Sequence, residues 1–598
     1  MKLTHIALCA APLLLAACAP TVNETNQPAD PATPETETVE PAESAGRPAW
    51  TKGAMVAAAD PRAVEAGLKI LGEGGNAVDA AIAVHAVLGL VEPQSSGIGG
   101  GAFMVYYDYE ADELTVLDGR ETAPAAADEN LFLQDGEVLP YVAASQSGRS
   151  AGVPAMPRLY ATAHEMFGKA EWASVFQPAI ELATDGFEVT PRLGGLLSNE
   201  RLRAAMRLDD DPVSAAYFYP DGKPLAVGVV RDNPEYAATL TALAKDGPDS
   251  FYTGANAEAI IAAVTAEPLP GAMTVQDLAD YRVKLRPAVC GQHDEIRICS
   301  APPPSSGAIT QNMIFGLYNR SLPSDGDLAE EDVLMAWVEA QRLAYADRDH
   351  YVGDADYVKV PTEDLIDPAY LDARAAQGGL LDGTPQPGDP GEVLGRGPMI
   401  GMWGRDMTDE TPGTTHLSII DQYGNAVSMT ATVESAFGNS RMVNGYLLNN
   451  ELTDFSREPR VNNQIVANAP AGGKRPRSSM SPTMVFDENG DLLMVTGSPG
   501  GNSIVAYVSK TLLGVLEWGL TAQEAINLPN VIARGRTVGV EIDVPKGQQW
   551  ADTLSAMGYV VEERTGENSG LHTIVVRGSY LEGGADPRRE GVAKALAE

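Results

Sequence analysis

The sequence predicts an α/β protein in which sheets pack between helical layers. Helical patterns mark the first half, most continuously from about residue 155 to 285, strand-like runs cluster after residue 413, and no internal repeat divides the chain into modules. With 598 residues, 44% of them hydrophobic, the chain is long enough for several domains or for one large layered body.

The elements follow in order. "MKLTHIALCAAPLLLAAC" sets Lys2 ahead of an apolar run too short to span a bilayer, which predicts an export signal over 1–17. Leu15-Ala16-Ala17-Cys18 resembles a bacterial lipobox, in which the mature chain begins at a lipidated cysteine, here Cys18; ordinary signal-peptide cleavage is the alternative. Residues 18–48 hold almost no large apolar side chains and read as a flexible tether. The expected location is periplasmic, with membrane contact only through an N-terminal lipid anchor. The folded part is expected to begin near Trp50.

Two helical patterns run through "DPRAVEAGLKILGEGGNAVDAAIAVHAVLGLVEP", with Asp60 as the cap of the first and Gly75-Asn76 as the break. The second is apolar almost all round and predicts a buried helix. "AFMVYYDYEADELTVLDGRE" reads as two strands about an acidic turn. Residues 155–285 are mostly helical in pattern, and "LAEEDVLMAWVEAQRLAYADRDHYV" is the longest amphipathic helix. "GTPQPGDPGEVLGRGPMIGMWGRDMTDETPG" has little periodicity and predicts a long mobile loop. Strands are expected at "THLSII", "AVSMTAT", "TMVFD" and "LLMVTGS", a helix after Gly501, and further strand character in "HTIVVRGSYLEGGADPR".

Composition excludes several functions. A formal net charge of −39 would repel nucleic acid. The four cysteines and seven histidines form no CxxC pair or Cys/His cluster, so neither a metal site nor a cofactor is expected. Cys290 and Cys299 flank "GQHDEIRI", a candidate hairpin; a cross-strand disulfide and two free buried thiols are both open. "GIGGGA" (97–102) matches a dinucleotide fingerprint in letters, but a helix pattern precedes it and a strand follows, the reverse of what that motif requires. A glycine turn that lets backbone approach another element is the reading preferred. G-x-S-x-G and H-E-x-x-H are absent, which argues against an α/β-type serine hydrolase and a zinc peptidase.

The stretch "DETPGTTHLSIIDQYGNAVSMTAT" (409–432) carries the chemistry. A hairpin centred on Tyr423 pairs Ile420 with Ala426, Ser418 with Ser428 and Thr414 with Thr432, so two hydroxyls face each other at the hairpin's open end. Threonine alone is a poor nucleophile and needs an adjacent base. Cleavage of Gly413–Thr414 would give Thr414 an α-amine, unperturbed pKa about 7.7–8.0, beside its own hydroxyl.

At this point the chain resembles the gamma-glutamyltransferase family of N-terminal nucleophile hydrolases. The likeness runs from about residue 50 to 590, through "GGNAVDAAIA", "EPQSSGIGGGAFM", "DGRETAP", "APPPSSG", "GTTHLSIID", "GYLLNNELTDFS", "KRPRSSMSPTMVF", "VTGSPGG" and "GADPR". It implies a four-layer αββα sandwich built from one self-cleaving precursor, with a large subunit over 49–413 and a small catalytic subunit over 414–598. It implies Thr414 as nucleophile and Thr432 as its hydrogen-bond partner. Gly500 and Gly501 match the oxyanion-hole residues. Arg120, Ser478 and Ser479 match the positions that hold a γ-glutamyl α-carboxylate, as a fork-shaped guanidinium suits. Glu434, Glu451 and Asp454 match those that hold its ammonium. The implied partners are a small γ-glutamyl donor such as glutathione and an amino-acid or peptide acceptor, besides water.

Two departures stand out. Glu434 occupies a position where many members carry Asn, and the segment matching the family's lid, 457–473, is short and lacks its tyrosine. Acceptor choice, and hydrolysis against transfer, are therefore left open. Two rival readings remain: a related glutaryl or cephalosporin-type acylase, and a non-enzymatic lipid-anchored binding protein.

Overall fold

The computed structural model describes residues 50–323, 328–378, 383–566 and 568–597; the expected export signal, Cys18 and the expected tether lie outside the described residues. Asp60 starts the first helix as the sequence indicates, and Asn76, read there as part of the break, caps the second. The Asp60 carboxylate accepts from Arg62 N at 2.8 Å, opening α1 (Pro61–Gly72). Asn76 Oδ1 accepts from Val78 N and Asp79 N, while Asp79 returns a bond to Asn76 N at 2.9 Å. This reciprocal cap opens α2 (Ala77–Val91), every residue of which is buried.

Two antiparallel sheets form the centre. In chain order the strands are β1 (Met55–Ala58), β2 (Gly101–Asp108), β3 (Glu113–Gly119), β4 (Lys284–Pro287), β5 (Val289–His293), β6 (Ile296–Ser300), β7 (Thr414–Ile420), β8 (Ala426–Thr432), β9 (Thr483–Phe486), β10 (Leu492–Thr496), β11 (His572–Arg577), β12 (Tyr580–Ala585) and β13 (Val592–Ala595). The first sheet has the order β13-β1-β7-β8-β2-β3-β4 and the second β12-β11-β10-β9-β6-β5. One core joins the first sheet to α1, α2 and the helices between residues 156 and 264. The other fills the space between the sheets and beneath α3 (Gly307–Ser321), α4 (Glu330–Tyr351) and α5 (Ile504–Leu516). The result is the α/β four-layer αββα sandwich.

The β7–β8 hairpin has the register read from the sequence: Ile420 opposite Ala426, Ser418 opposite Ser428, Thr414 opposite Thr432. Side chains alternate across a strand. Leu417, Ile419, Val427, Met429 and Ala431 enter the helical core. His416, Ser418, Ser428 and Thr430 face the second sheet, where Ser418 Oγ donates to His572 O and Ser428 Oγ to Thr496 O, both at 2.9 Å. Thr414 and Thr432 share that parity, so the sandwich interior receives their hydroxyls.

The glycine run 97–101 leads straight into β2, and no helix opens there. A Cβ on Gly100 would lie 2.0 Å from Thr432 O, and one on Gly99 2.1 Å from Leu447 O. The run is glycine because it presses against the backbone that carries Thr432. Cys290 and Cys299 are paired across β5 and β6 and form a disulfide.

Two expectations need amendment. α4 is not a half-exposed amphipathic helix, because from Ala336 to Tyr351 it is buried on every face. Its polar residues face other protein groups rather than water: Asp347 meets Tyr370 and Arg374, and Arg348 meets Asp349 and Glu410. The Gly/Pro/Asp-rich stretch is irregular but for Pro390–Val393, yet acidic residues pin it. Asp389 accepts from the N–H groups of Glu392, Met399 and Ile400, and Asp406 pairs with Arg477 at 3.0 Å.

Candidate active site

Thr414 opens β7 and is buried. Its Oγ1 donates to Thr432 Oγ1 at 3.2 Å. Thr432 Oγ1 in turn donates to the carbonyl oxygen of Gly413 at 3.0 Å and accepts from Glu434 N at 2.8 Å. One hydroxyl therefore touches both the candidate nucleophile and the carbonyl of the Gly413–Thr414 bond.

The same small cavity is lined by Arg120, Glu410, Thr411, Thr414, Thr432, Glu434, Glu451, Asp454, Ser478, Ser479 and Gly501. Residues from both sides of position 413 thus meet, and the sequence-indicated catalytic and substrate-binding residues line the cavity except Gly500, which precedes Gly501 in the wall; Gly413 precedes Thr414 but is not itself in the lining. Gly501 has a φ of +55°, and a Cβ there would lie 2.3 Å from Glu410 O, so only glycine fits while the upstream segment is in place.

Arg120 follows β3 and is fully enclosed. It ion-pairs with Glu451, and with Asp454 at 2.6 Å; Nε and Nη2 also donate to the carbonyls of Pro476 and Arg477. The residues assigned to a substrate carboxylate and to a substrate ammonium are here paired with each other. Glu451 Oε2 and Asp454 Oδ1 remain buried with no hydrogen-bond donor. Burial raises both carboxyls well above the usual range, with Arg120 opposing. Such orphaned acceptors are costly unless a donor arrives. Ser478 Oγ accepts from Met480 N at 3.1 Å, and Ser479 Oγ accepts from Arg348 at 2.5 Å.

Glu434 sits in the left-handed region at φ +77°. Its carboxylate accepts from Thr411 Oγ1 at 2.7 Å, Tyr141 OH at 3.2 Å and the Asn450 amide. Burial raises its carboxyl despite these bonds.

Several participants escaped the sequence reading. Glu410 and Thr411, just upstream of the expected cut, occupy the cavity. Burial opposes ionisation of Glu410, but Arg348 and Arg477 outweigh it and hold its carboxyl low; Ser479 N also donates to it at 2.9 Å. The only sequence signal was an acidic residue close to the cut. Glu121, next to Arg120 in "DGRE", is buried beside Glu451, and burial pushes its carboxyl up to about 7, with Arg120 opposing. The short lid counterpart folds as a hairpin, Arg460–Val461 against Gln464–Ile465. Tyr141, from the short helix Tyr141–Ser145, stands at Glu434, under the guanidinium of Arg457.

A family model described as gamma-glutamyltranspeptidase matches residues 63–596. The chain is 35% identical over 552 residues to a glutathione hydrolase proenzyme of Escherichia coli (strain K12), covering 90% of this chain and 91% of that protein. It is 30% identical over 564 residues to the acylase ACY 1 proenzyme of Pseudomonas sp. (strain SE83), covering 92% and 95%. Among solved structures, a cephalosporin acylase from Bacillus halodurans superimposes with a TM-score of 0.79 at 26% identity, over 94% of this chain and 99% of that one. With the αββα sandwich and the Thr414–Thr432 pair at its centre, the chain belongs to the gamma-glutamyltranspeptidase family of N-terminal nucleophile hydrolases, and is an enzyme of that class.

Proposed function

We propose that the chain cleaves itself before Thr414 and then transfers γ-glutamyl groups from glutathione and related γ-glutamyl amides to water or an amine. The observation that carries this reading is the pair of orphaned carboxylate oxygens, Glu451 Oε2 and Asp454 Oδ1, beside Arg120 in the Thr414 cavity. A γ-glutamyl group ends in an α-carboxylate and an α-ammonium. The carboxylate suits Arg120 with Ser478 and Ser479, and the ammonium supplies the donors that Glu451 Oε2 and Asp454 Oδ1 lack, with the Glu434 carboxylate as a further counter-charge.

Maturation begins when Thr414 Oγ1 attacks the Gly413 carbonyl carbon. The C–O bond forms, the C–N bond breaks, and the hydroxyl proton ends on the new α-amine; water then hydrolyses the ester. Thr432, donating to the Gly413 oxygen at 3.0 Å, is placed to stabilise the charge that develops there. In the uncut chain the cavity has about 10 Å³ of free space, room for no more than one water. Glu410 and Thr411 must withdraw before a γ-glutamyl group enters.

In turnover, Thr414 Oγ1 attacks the γ-carbonyl while the Thr414 amine takes the proton and returns it to the departing amine. Gly500 and Gly501 are assigned to the oxyanion, and water or an acceptor amine resolves the ester, giving ping-pong kinetics. In Thr414→Ala the chain should stay uncut and inactive. End-group sequencing of active wild type that reveals no chain starting Thr-Thr-His-Leu would sink the proposal.

The acylase relatives favour a second reading, removal of glutaryl-type groups. A glutaryl group has no α-amine, so it would leave the orphaned oxygens unpaired. Comparing γ-glutamyl-anilide with glutaryl-anilide separates the two. Export and lipid attachment at Cys18 are part of the proposal; fatty-acid labelling that survives Cys18→Ser would overturn the anchor.

A further inference from the structure

Arg589 has no part in the scheme above, yet it touches the nucleophile's backbone. It follows Asp586-Pro587-Arg588 and is buried. Nη1 donates to the carbonyl oxygen of Thr414 at 2.8 Å, and Nη2 to Asn568 O at 3.1 Å. Both partners are neutral. Gly570 holds the stem from behind, since a Cβ there would lie 2.6 Å from Arg589 Cδ and Nε.

The nearby carboxylates are committed elsewhere. Glu92, at the end of α2, pairs with Arg192 at 2.9 Å. Asp586 accepts from Ser569 Oγ at 2.6 Å and pairs with Arg588 at 3.1 Å. Burial first, and then the charge of Arg192, lowers Arg589 to about 9, with Glu92, Asp586 and Tyr507 opposing. It stays charged at neutral pH. Glu590, bonded to Arg192 N, and neutral His572 complete that side. On the cavity side Thr414 meets Glu434, Glu451, Asp454 and, before cleavage, Glu410, set against Arg120, Arg348 and Arg477; His416 on its own strand is neutral.

We propose that Arg589 is a positioning residue for the nucleophile: it fixes the Thr414 carbonyl, and its charge keeps the freed α-amine unprotonated so that it serves as base. This rests on the N-terminal threonine reading. Bond lengths place the Thr414 nitrogen within about 6.5 Å of the guanidinium. At that range a unit charge near a protein surface depresses an amine by about one to two pH units, against the upward pull of the cavity carboxylates.

The test is the pH profile of kcat/KM on γ-glutamyl-anilide. Wild type should show an acid limb near or below neutrality. Arg589→Met should move that limb up by about one unit, while Arg589→Lys, which keeps the charge, should leave it within about 0.3. Glu92→Gln, which removes a counter-charge, should move it down. If the limb of Arg589→Met stays put, even with a slower rate, Arg589 is only a structural clamp and the inference fails. If that variant does not mature, a Glu92→Gln limb that is unmoved or raised overturns it equally, and a lowered one supports it. A wild type with no Thr414-initiated chain defeats the functional reading itself, and this inference with it.

Discussion

Replacing Thr432 by Val keeps the side-chain shape and removes one hydroxyl. The structure shows what that hydroxyl does: it accepts from Thr414 Oγ1 at 3.2 Å, donates to Gly413 O at 3.0 Å and accepts from Glu434 N at 2.8 Å. Losing the donor to the scissile carbonyl should slow self-cleavage by ~10²–10³, the usual effect of removing one oxyanion donor. The Glu434 N–H becomes buried and unpaired, which costs about 1–3 kcal/mol. Glu434 is a non-glycine residue at φ +77°, so the lost anchor also loosens a strained backbone. Cell-free synthesis followed by a denaturing gel time course measures maturation, and the thermal midpoint measures stability. Thr432→Ser should recover most of both. Should Thr432→Val convert to two chains at the wild-type rate, the role given to this hydroxyl in maturation is wrong.

Arg120→Met should be severe, because it strands Glu451 and Asp454 without a cation; such a loss costs about 3–5 kcal/mol, visible as loss of soluble protein. Arg120→Lys keeps the charge but not the fork, so KM for the γ-glutamyl donor should rise at least tenfold in steady-state assays. Acid should destabilise the fold through His572, whose burial lowers it to about 4. Its folded value lies below the unfolded 6.5, so the stability is present above pH 6.5 and is lost as pH falls toward 4, by about 3 kcal/mol. Urea midpoints at pH 7 and pH 4.5 measure this, and His572→Gln should flatten the difference. Cys299→Ala should lower stability by no more than about 2–3 kcal/mol, since the Cys290–Cys299 loop is short; wild-type melts with and without reductant provide the comparison.

Much of this protein could be read without coordinates wherever the determinants are local. Asp60 and Asn76, at the boundaries the sequence marks, start helices through bonds two or three residues long. The turn at Tyr423 sets the β7–β8 register because the side-chain period of a strand is two and the turn is short. That arithmetic alone put Thr414 opposite Thr432. Even the glycines of 97–101 were legible as a close approach, though not what they approach.

Only the tertiary structure decided the rest, because it depends on groups distant in the chain meeting where water is excluded. Arg120 finds Glu451 331 residues later, and Arg589 reaches the Thr414 carbonyl across 175. No periodicity encodes such meetings. Nor did it show that the polar face of α4 lies among charges rather than in water, or that Glu410 fills the cavity of the uncut chain. Local hydrogen bonding and strand alternation write themselves into the sequence; the pairing of buried charges is settled only when the layers close.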